Sequence, residues 1–155
     1  MSASPAEILA KYLVDLETAY WPGQGPPDAF HVTVKGMPAD GDREIALTDS
    51  GGIQLPAEMQ RGQNKVFWNI RCLIRVSSYP DGVDKCKEIE SICRAIGIPL
   101  DRSGAGQYVA VAVRGGNFAV KSVRIKTPFM FLAEEPDTQR SLFTLNLSMS
   151  YFRTS

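Results

Sequence analysis

The side chains that can do acid–base or nucleophilic chemistry in this sequence are one histidine, His31, and three cysteines, Cys72, Cys86 and Cys93. A histidine titrates near neutral pH, and a thiol becomes a nucleophile when a base lies beside it. His31 alternates with Val32 on a strand-like segment, so we expect it to face solvent or an interface. The cysteines fall in apolar stripes without metal-ligand spacing, which favours small buried side chains. A cysteine enzyme that uses His31 remains an alternative.

Two further motifs are weak signals for ligand binding. The Gly-x-Gly at residues 104–106 lacks the third glycine, the preceding strand and the following helix of a dinucleotide site, so it predicts a turn. Glu134, Glu135 and Asp137 form a small acidic cluster beside a proline, which is typical of a solvated loop. We therefore expect no cofactor and no metal.

Composition restricts the class of protein. The chain has 155 residues, with 17 basic and 17 acidic side chains, and its length suits a single domain over residues 1–155. Zero net charge disfavours tight, non-specific binding of nucleic acid, which needs many cations. No apolar run approaches the roughly 20 residues of a membrane-spanning helix. The N-terminus does not resemble a signal peptide, and three cysteines suit a reducing compartment, so we expect an intracellular protein.

Two amphipathic helices are predicted. Ser4, Pro5 and Glu7 fit an N-cap, a first-turn proline and a capping-box partner, and apolar residues follow at helical spacing. A second helix is expected after a turn at residues 79–82, ending near Ile96 before a glycine and a proline.

Strands are predicted at residues 30–34, 44–48, 66–76, 108–114, 117–132 and 141–153. Gly115 and Gly116 signal a hairpin, a change of phase near residues 121–123 signals a bulge, and Pro128 is expected at an edge or a bulge. The clean alternation of the last strand indicates a sheet covered on one side only. The fold class is therefore α+β: a two-layer sandwich with a mostly antiparallel sheet and both helices packed on one face.

One face of the strand at residues 66–76 mixes charged, polar and apolar side chains. We call it the mixed face, and its members are Phe67, Asn69, Arg71, Leu73 and Arg75. Such a face is neither plain solvent surface nor core, so it favours an interface. Basic residues on a sheet can also bind nucleic acid, but Phe67 is the sole aromatic residue on this face and no RNP motif is present, which makes that alternative weaker.

The pattern of the first half resembles one protein family. The segment 45–52, the strand 67–76 and the helix after Pro80 resemble the tail terminator (tail-completion, "minor capsid") proteins of long-tailed bacteriophages. The similarity covers most of the chain and extends to the long final strand, although it lies in the order and pattern of elements rather than in invariant residues.

This resemblance implies a structural virion protein and no enzyme. The family forms a ring, usually of six subunits, that caps the tail tube, ends its polymerisation and offers a surface for docking of the filled head. The implied partners are copies of the chain itself, the tail tube protein, a head-completion or connector protein, and the sheath protein if the tail is contractile. Genome DNA would pass through the channel without tight binding, and no membrane is involved. The implied location is the tail or neck of the virion, and the host cytoplasm during assembly.

A head-completion or neck connector protein is the nearest alternative function. In either case the contacts are expected on three groups of residues. These are the mixed face, a long contact loop at residues 49–64, and the acidic segment before the last strand. The individual residues are Phe67, Asn69, Arg71, Leu73 and Arg75, then Asp49, Gly51, Gly52 and Gln63, and finally Glu134, Glu135 and Arg140.

Overall fold

A computed structural model describes residues 3–55, 65–96 and 108–154. It contains two helices, α1 (Pro5–Asp15) and α2 (Tyr79–Ala95). The six strands are β1 (His31–Thr33), β2 (Glu44–Leu55), β3 (Lys65–Val76), β4 (Val109–Val113), β5 (Gly116–Glu134) and β6 (Ser141–Arg153).

The strands form one curled sheet in the order β1-β2-β3-β6-β5-β4. The short β1 runs parallel to β2, and the other four pairings are antiparallel. The prediction of an α+β fold with a mostly antiparallel sheet is confirmed. The four longest strands, β2, β3, β6 and β5, lie side by side and form the middle of the sheet.

Each helix begins at a serine whose side chain caps its N-terminus. The hydroxyl of Ser4 accepts a hydrogen bond from the backbone N–H of Glu7 at 3.2 Å, as predicted. Ser78 caps α2 in the same way through the N–H of Asp81. Residues 79–82, expected as a separate turn, are instead the first turn of α2, because a proline is well tolerated in the first turn behind a serine cap.

The predicted contact loop at residues 49–64 is wrong over its first part. Residues 49–55 continue β2, which pairs with β3 up to Leu55 opposite Lys65. The turn-like sequence lies at a register shift, or β-bulge, between Asp49 and Gly52. Gly51 within it has a φ of +99°, a backbone conformation that favours glycine. Residues 56–64 lie outside the described part of the chain.

The predicted irregularities of the long fifth strand are confirmed. Its register with β6 shifts between Val120 and Ser122, and again between Thr127 and Met130 around Pro128. Arg114 and Gly115 form the two-residue loop of the β4–β5 hairpin, both with positive φ. The bulges bend the strand, which is consistent with the curl of the sheet.

A single apolar cluster holds the helices and the sheet together. Its fully buried members on the helices include Ile8, Leu13, Cys86 and Ile89. On the central strands they are Ile70, Cys72, Ile74, Phe143, Leu145, Leu147 and Met149. The alternation of β6 therefore predicted its buried side correctly.

The other side of β6 departs from the expected solvent surface. Thr144, Ser148 and Ser150 are all buried, although the alternation predicts that they face water. On either side of Ser148 lie the longer Asn69 of β3 and Arg124 of β5, and Thr144 has Leu73 and Met130 in the same positions. Shielding by these longer neighbours accounts for the burial of Ser148 and Thr144.

Candidate interface on the central sheet

The mixed face of β3 points away from the apolar cluster. Neighbouring residues of a strand face opposite sides of the sheet, and Ile70, Cys72 and Ile74 occupy the buried side. The five residues differ in exposure: Arg71 is exposed, Asn69 and Leu73 are half-buried, and Phe67 and Arg75 are buried. The structure therefore divides the predicted interface residues into accessible and inaccessible ones.

Arg75 is held inside the protein. Its Nε donates a hydrogen bond to the carbonyl of Gly41 at 3.2 Å, and its Nη1 lies 3.8 Å from Oε2 of Glu135. Its Nη2 is buried without a hydrogen-bond partner among the described residues. Two residues predicted in separate groups, Arg75 and Glu135, thus meet, and with 3% of its surface exposed Arg75 is inaccessible to a partner in this conformation.

The segment between β5 and β6 is a compact turn. The N–H of Glu135 donates to the carbonyl of Arg140 at 2.8 Å, and the N–H of Gln139 donates to the carbonyl of Glu135 at 2.9 Å. The carboxylate of Glu135 also accepts a hydrogen bond from Thr138. Glu134 is exposed and Arg140 is half-buried, so these two remain accessible members of the predicted interface.

Three cations lie on the same side of the sheet as the mixed face, and we call them the basic strip. They are Arg71 on β3 and Arg124 and Lys126 on β5. Arg71 lies opposite Asn146 of β6, while Arg124 on β5 and Asn69 on β3 both lie opposite Ser148, so the strip spans three strands. No carboxylate of the described residues lies within ion-pair distance of any of the three.

Contacts with neighbouring side chains position two of these cations. The Arg124 guanidinium lies 4.7 Å from the centre of the Phe67 ring, and Lys126 Nζ donates to Oδ1 of Asn69 at 3.2 Å. Arg124 and Lys126 are among the basic strand residues that the sequence offers for nucleic-acid binding, but the predicted interface residues did not include them. The bulges of β5 decide which way these side chains point, and no pattern in the sequence fixes the exact bulge positions.

A shallow depression of about 160 Å³ lies beside Lys126, the one residue of the strip that lines it. Its polar lining comprises Ser50, Asn69, Lys126, Thr127 and Asn146. One cation surrounded by amide and hydroxyl groups suits a carboxylate or another small anion.

Asp49 and its glycine neighbours are tied to the fold. The Asp49 carboxylate accepts a hydrogen bond from the backbone N–H of Ala6 at 2.9 Å, within the first turn of α1. Gly51 lies in the register shift of β2, and Gly52 pairs with Trp68. Gln63, the last predicted residue of this group, lies outside the described residues.

The thiols are poorly suited to nucleophilic chemistry. Burial raises the pKa of Cys72 well above its usual range. Burial, reinforced by the nearby Glu90 carboxylate, raises the pKa of both Cys86 and Cys93 to about 12. His31 Nε2 lies 2.9 Å from the carbonyl oxygen of Gln24, so it donates a hydrogen bond there. At neutral pH these cysteines are thiols, which disfavours the cysteine-enzyme alternative.

A second, open depression of about 340 Å³ lies between the end of α1, residues 26–30 and the first turns of α2. We call it the acidic depression, because five carboxylates and two cations line it. The carboxylates are those of Glu17, Asp28, Asp81, Asp84 and Glu88, and the cations are Arg43 and Lys85. The sequence analysis missed this surface, since its carboxylates come from three separate segments.

Both cations of the acidic depression already have carboxylate partners. Arg43 pairs with Asp81 at 2.7 Å and Lys85 pairs with Glu88 at 3.1 Å. Among the described residues, Glu17, Asp28 and Asp84 have no ion-pair partner, so the depression carries an excess of negative charge.

No protein-family model and no curated protein matches this chain. Within the described residues, no group of three or more histidine, cysteine or carboxylate side chains is placed to hold a metal ion. No described helix is long and apolar enough to cross a bilayer.

Proposed function

We propose that this chain is a structural protein of the tail-terminator type. Several copies form a ring on the last ring of a phage tail tube, end its polymerisation and present the surface on which the filled head docks. The ring works by complementarity of surfaces, and no covalent bond is made or broken. Its partners are other copies of the chain, the tail tube protein, the head-completion protein and, in a contractile tail, the sheath protein.

The observation that carries this proposal is the composition of the sheet surface around Arg71. That surface combines an exposed arginine, the half-buried Leu73 and Asn69, and two further cations without carboxylate partners among the described residues. A solvated surface normally intersperses charges of both signs, whereas a surface that meets a partner can leave its charges unpaired until assembly.

The finer architecture belongs to the same proposal. We infer two layers, with α1 and α2 covering one face of the sheet and the basic strip on the other. The shared apolar cluster supports this, because Ile8 of α1 and Cys86 of α2 belong to it together with Ile70 and Ile74 of β3. In such an arrangement the face that carries Arg71 is free for contacts within the ring or with the tube.

Termination requires that the two ends of the ring differ. One end matches the free end of the tube and forms there because the tube provides a template. The other end lacks the surface that a tube subunit offers, so no further tube subunit binds. The accessible residues Glu134 and Arg140 at the β5–β6 turn are candidates for contacts at one end.

The decisive experiment deletes the gene in the phage and measures tail lengths by negative-stain electron microscopy. A terminator predicts overlong tails that lack heads, and purified protein added to growing tubes restores the defined length. Tails of normal length beside unattached, filled heads would instead indicate a head-completion protein. Intact, infectious virions in the deletion strain would rule out both functions.

A further inference from the structure

The chain carries two exposed surfaces of opposite charge on different sides of the molecule. The basic strip lies on the face of β3 and β5 that points away from the apolar cluster. The acidic depression is lined by residues that follow α1, by residues 26–30 and by the first turns of α2, a helix whose buried residues belong to that cluster. The whole chain has no net charge, so the two surfaces arise from segregation of its charges rather than from an overall excess.

We propose that the basic strip of one copy docks on the acidic depression of the next copy. This contact rests on the proposed function and specifies it, because it defines which two surfaces join neighbouring subunits of the ring. Arg124 and Lys126 would approach Asp28 and Asp84, two of the three exposed carboxylates of the depression that have no ion-pair partner among the described residues.

The charge distribution favours a head-to-tail contact over a twofold one. In a twofold dimer a patch meets its own copy, so the basic strip would oppose another basic strip, and the acidic depression would oppose another acidic one. Like charges that face each other across an interface repel and oppose association. A contact between two different patches avoids this repulsion, and it closes into a ring when the rotation between neighbours fits a whole number of subunits.

The shape of the two surfaces also suits this pairing. The Phe30 ring at the base of the acidic depression lies beneath Lys85 and Arg43, at 4.8 and 5.4 Å from the ring centre. Both cations already pair with carboxylates of the depression, so the remaining carboxylates stay accessible to another molecule. On the basic side, the 160 Å³ depression beside Lys126 offers amide and hydroxyl donors that can receive a carboxylate.

Nucleic acid is the competing occupant of the basic strip, and the observations favour it less. Proteins that bind duplex DNA tightly neutralise about six to ten phosphates, whereas the strip offers three cations. The acidic depression has the opposite charge, and because it lies on the same chain it is present at the same concentration as the strip. A second copy of the chain is therefore the occupant that the surfaces fit.

The test compares self-association of the full-length protein and its charge-neutralised variants by sedimentation equilibrium, up to millimolar concentration, at 50 and 300 mM salt. The strip variant is R124Q/K126Q, and the depression variant is D28N/D84N. A matched control, K35Q/K87Q, removes two exposed cations outside both surfaces. Circular dichroism spectra and urea unfolding establish that every variant remains folded.

We expect the wild type and the control to associate, more weakly at high salt, and each site variant to associate about tenfold more weakly. An equimolar mixture of the two site variants has one intact basic strip and one intact acidic depression. It should therefore form a heterodimer with wild-type affinity and no larger species. This complementation distinguishes head-to-tail docking from a general effect of charge.

Three results would overturn this inference. They are a wild type that stays monomeric throughout, site variants that associate like the wild type, and a mixture that gains nothing over its components. The proposed function is tested separately, because a chain that fails here but still restores tail length retains its terminator role through other contacts. If R124Q/K126Q loses binding to a 30-base-pair DNA duplex while its self-association is unchanged, nucleic acid is the occupant.

Discussion

The carboxylate of Glu90 on α2 accepts a hydrogen bond from the backbone N–H of Phe129 on β5, with 2.9 Å between Oε1 and the nitrogen. Phe129 follows Pro128 inside the stretch where the register of β5 with β6 shifts. Its N–H is paired with a side chain of the helix, and the other Glu90 oxygen lies 3.0 Å from Arg94. Glu90 of α2 therefore provides the hydrogen-bond acceptor for a backbone N–H in the bulged part of β5.

Replacement of Glu90 tests this link between α2 and the bulge. E90A leaves the N–H of Phe129 without its acceptor, so we expect the free energy of unfolding to fall by about 1–3 kcal/mol. E90Q keeps an acceptor oxygen in the same position, so its free energy of unfolding should fall by less than that of E90A. Urea unfolding followed by circular dichroism measures both.

R94A provides the matched control for the ion pair. The Arg94 side chain is largely exposed, and exposed pairs contribute about 0–1 kcal/mol, so R94A should have a small effect. If R94A destabilises the protein as much as E90A does, the ion pair rather than the hydrogen bond to Phe129 is the important contact.

Asp49 can be assigned to the fold or to an interface by mutation. Its carboxylate accepts the N–H of Ala6 in the first turn of α1, beside the Ser4 cap. Removal of a helix-capping side chain typically lowers stability by about 0.5–2 kcal/mol, so D49A should lower the free energy of unfolding by an amount in that range. D49N should lower it by less, because its amide oxygen still accepts the hydrogen bond. Thermal unfolding measures the change. Wild-type stability in D49A would show that the contact with Ala6 contributes nothing.

Gly82 in α2 lies close against side chains of the sheet. A Cβ at this position would overlap the Phe143 ring and lie 2.8 Å from Cγ1 of Val76. Alanine is the better helix former by about 1 kcal/mol, yet we expect G82A to lower the free energy of unfolding by about 1–3 kcal/mol, because the helix must move away. K87A, at an exposed position of the same helix, is the control and should change stability little. A stabilised G82A would mean that the helix can shift without loss of packing.

Local patterns predicted most of the secondary structure. The Ser4 cap, the buried side of β6 and the bulges near residues 121 and 128 are determined by neighbouring residues, and all are confirmed. Residues 79–82 are a local failure, because they look like a turn but the Ser78 cap makes them helical. The other failures occurred where distant segments decide the outcome. Residues 49–55 look like a turn, but pairing with β3 keeps them in a strand.

The candidate site was harder to predict, for the same reason. The period of β3 correctly placed Arg71 and Arg75 on one face, but the burial of Arg75 depends on Gly41 and Glu135, which lie far away in the sequence. The direction of Arg124 depends on a bulge. The acidic depression gathers carboxylates from three segments, so no local motif reveals it.

The buried thiols should make the stability of the protein depend on alkaline pH. Burial raises the pKa of Cys86 and Cys93 from 9.0 to about 12, so between pH 9 and 12 the folded state holds protons that the unfolded state releases. The free energy of unfolding is therefore unaffected by these thiols below pH 9, and it should fall above pH 9 by about 1.4 kcal/mol per pH unit for each thiol. Urea unfolding between pH 8 and 10.5 measures this slope, which C93A should reduce by one thiol's share. An unchanged slope in C93A would mean that this cysteine is accessible to water in the folded protein.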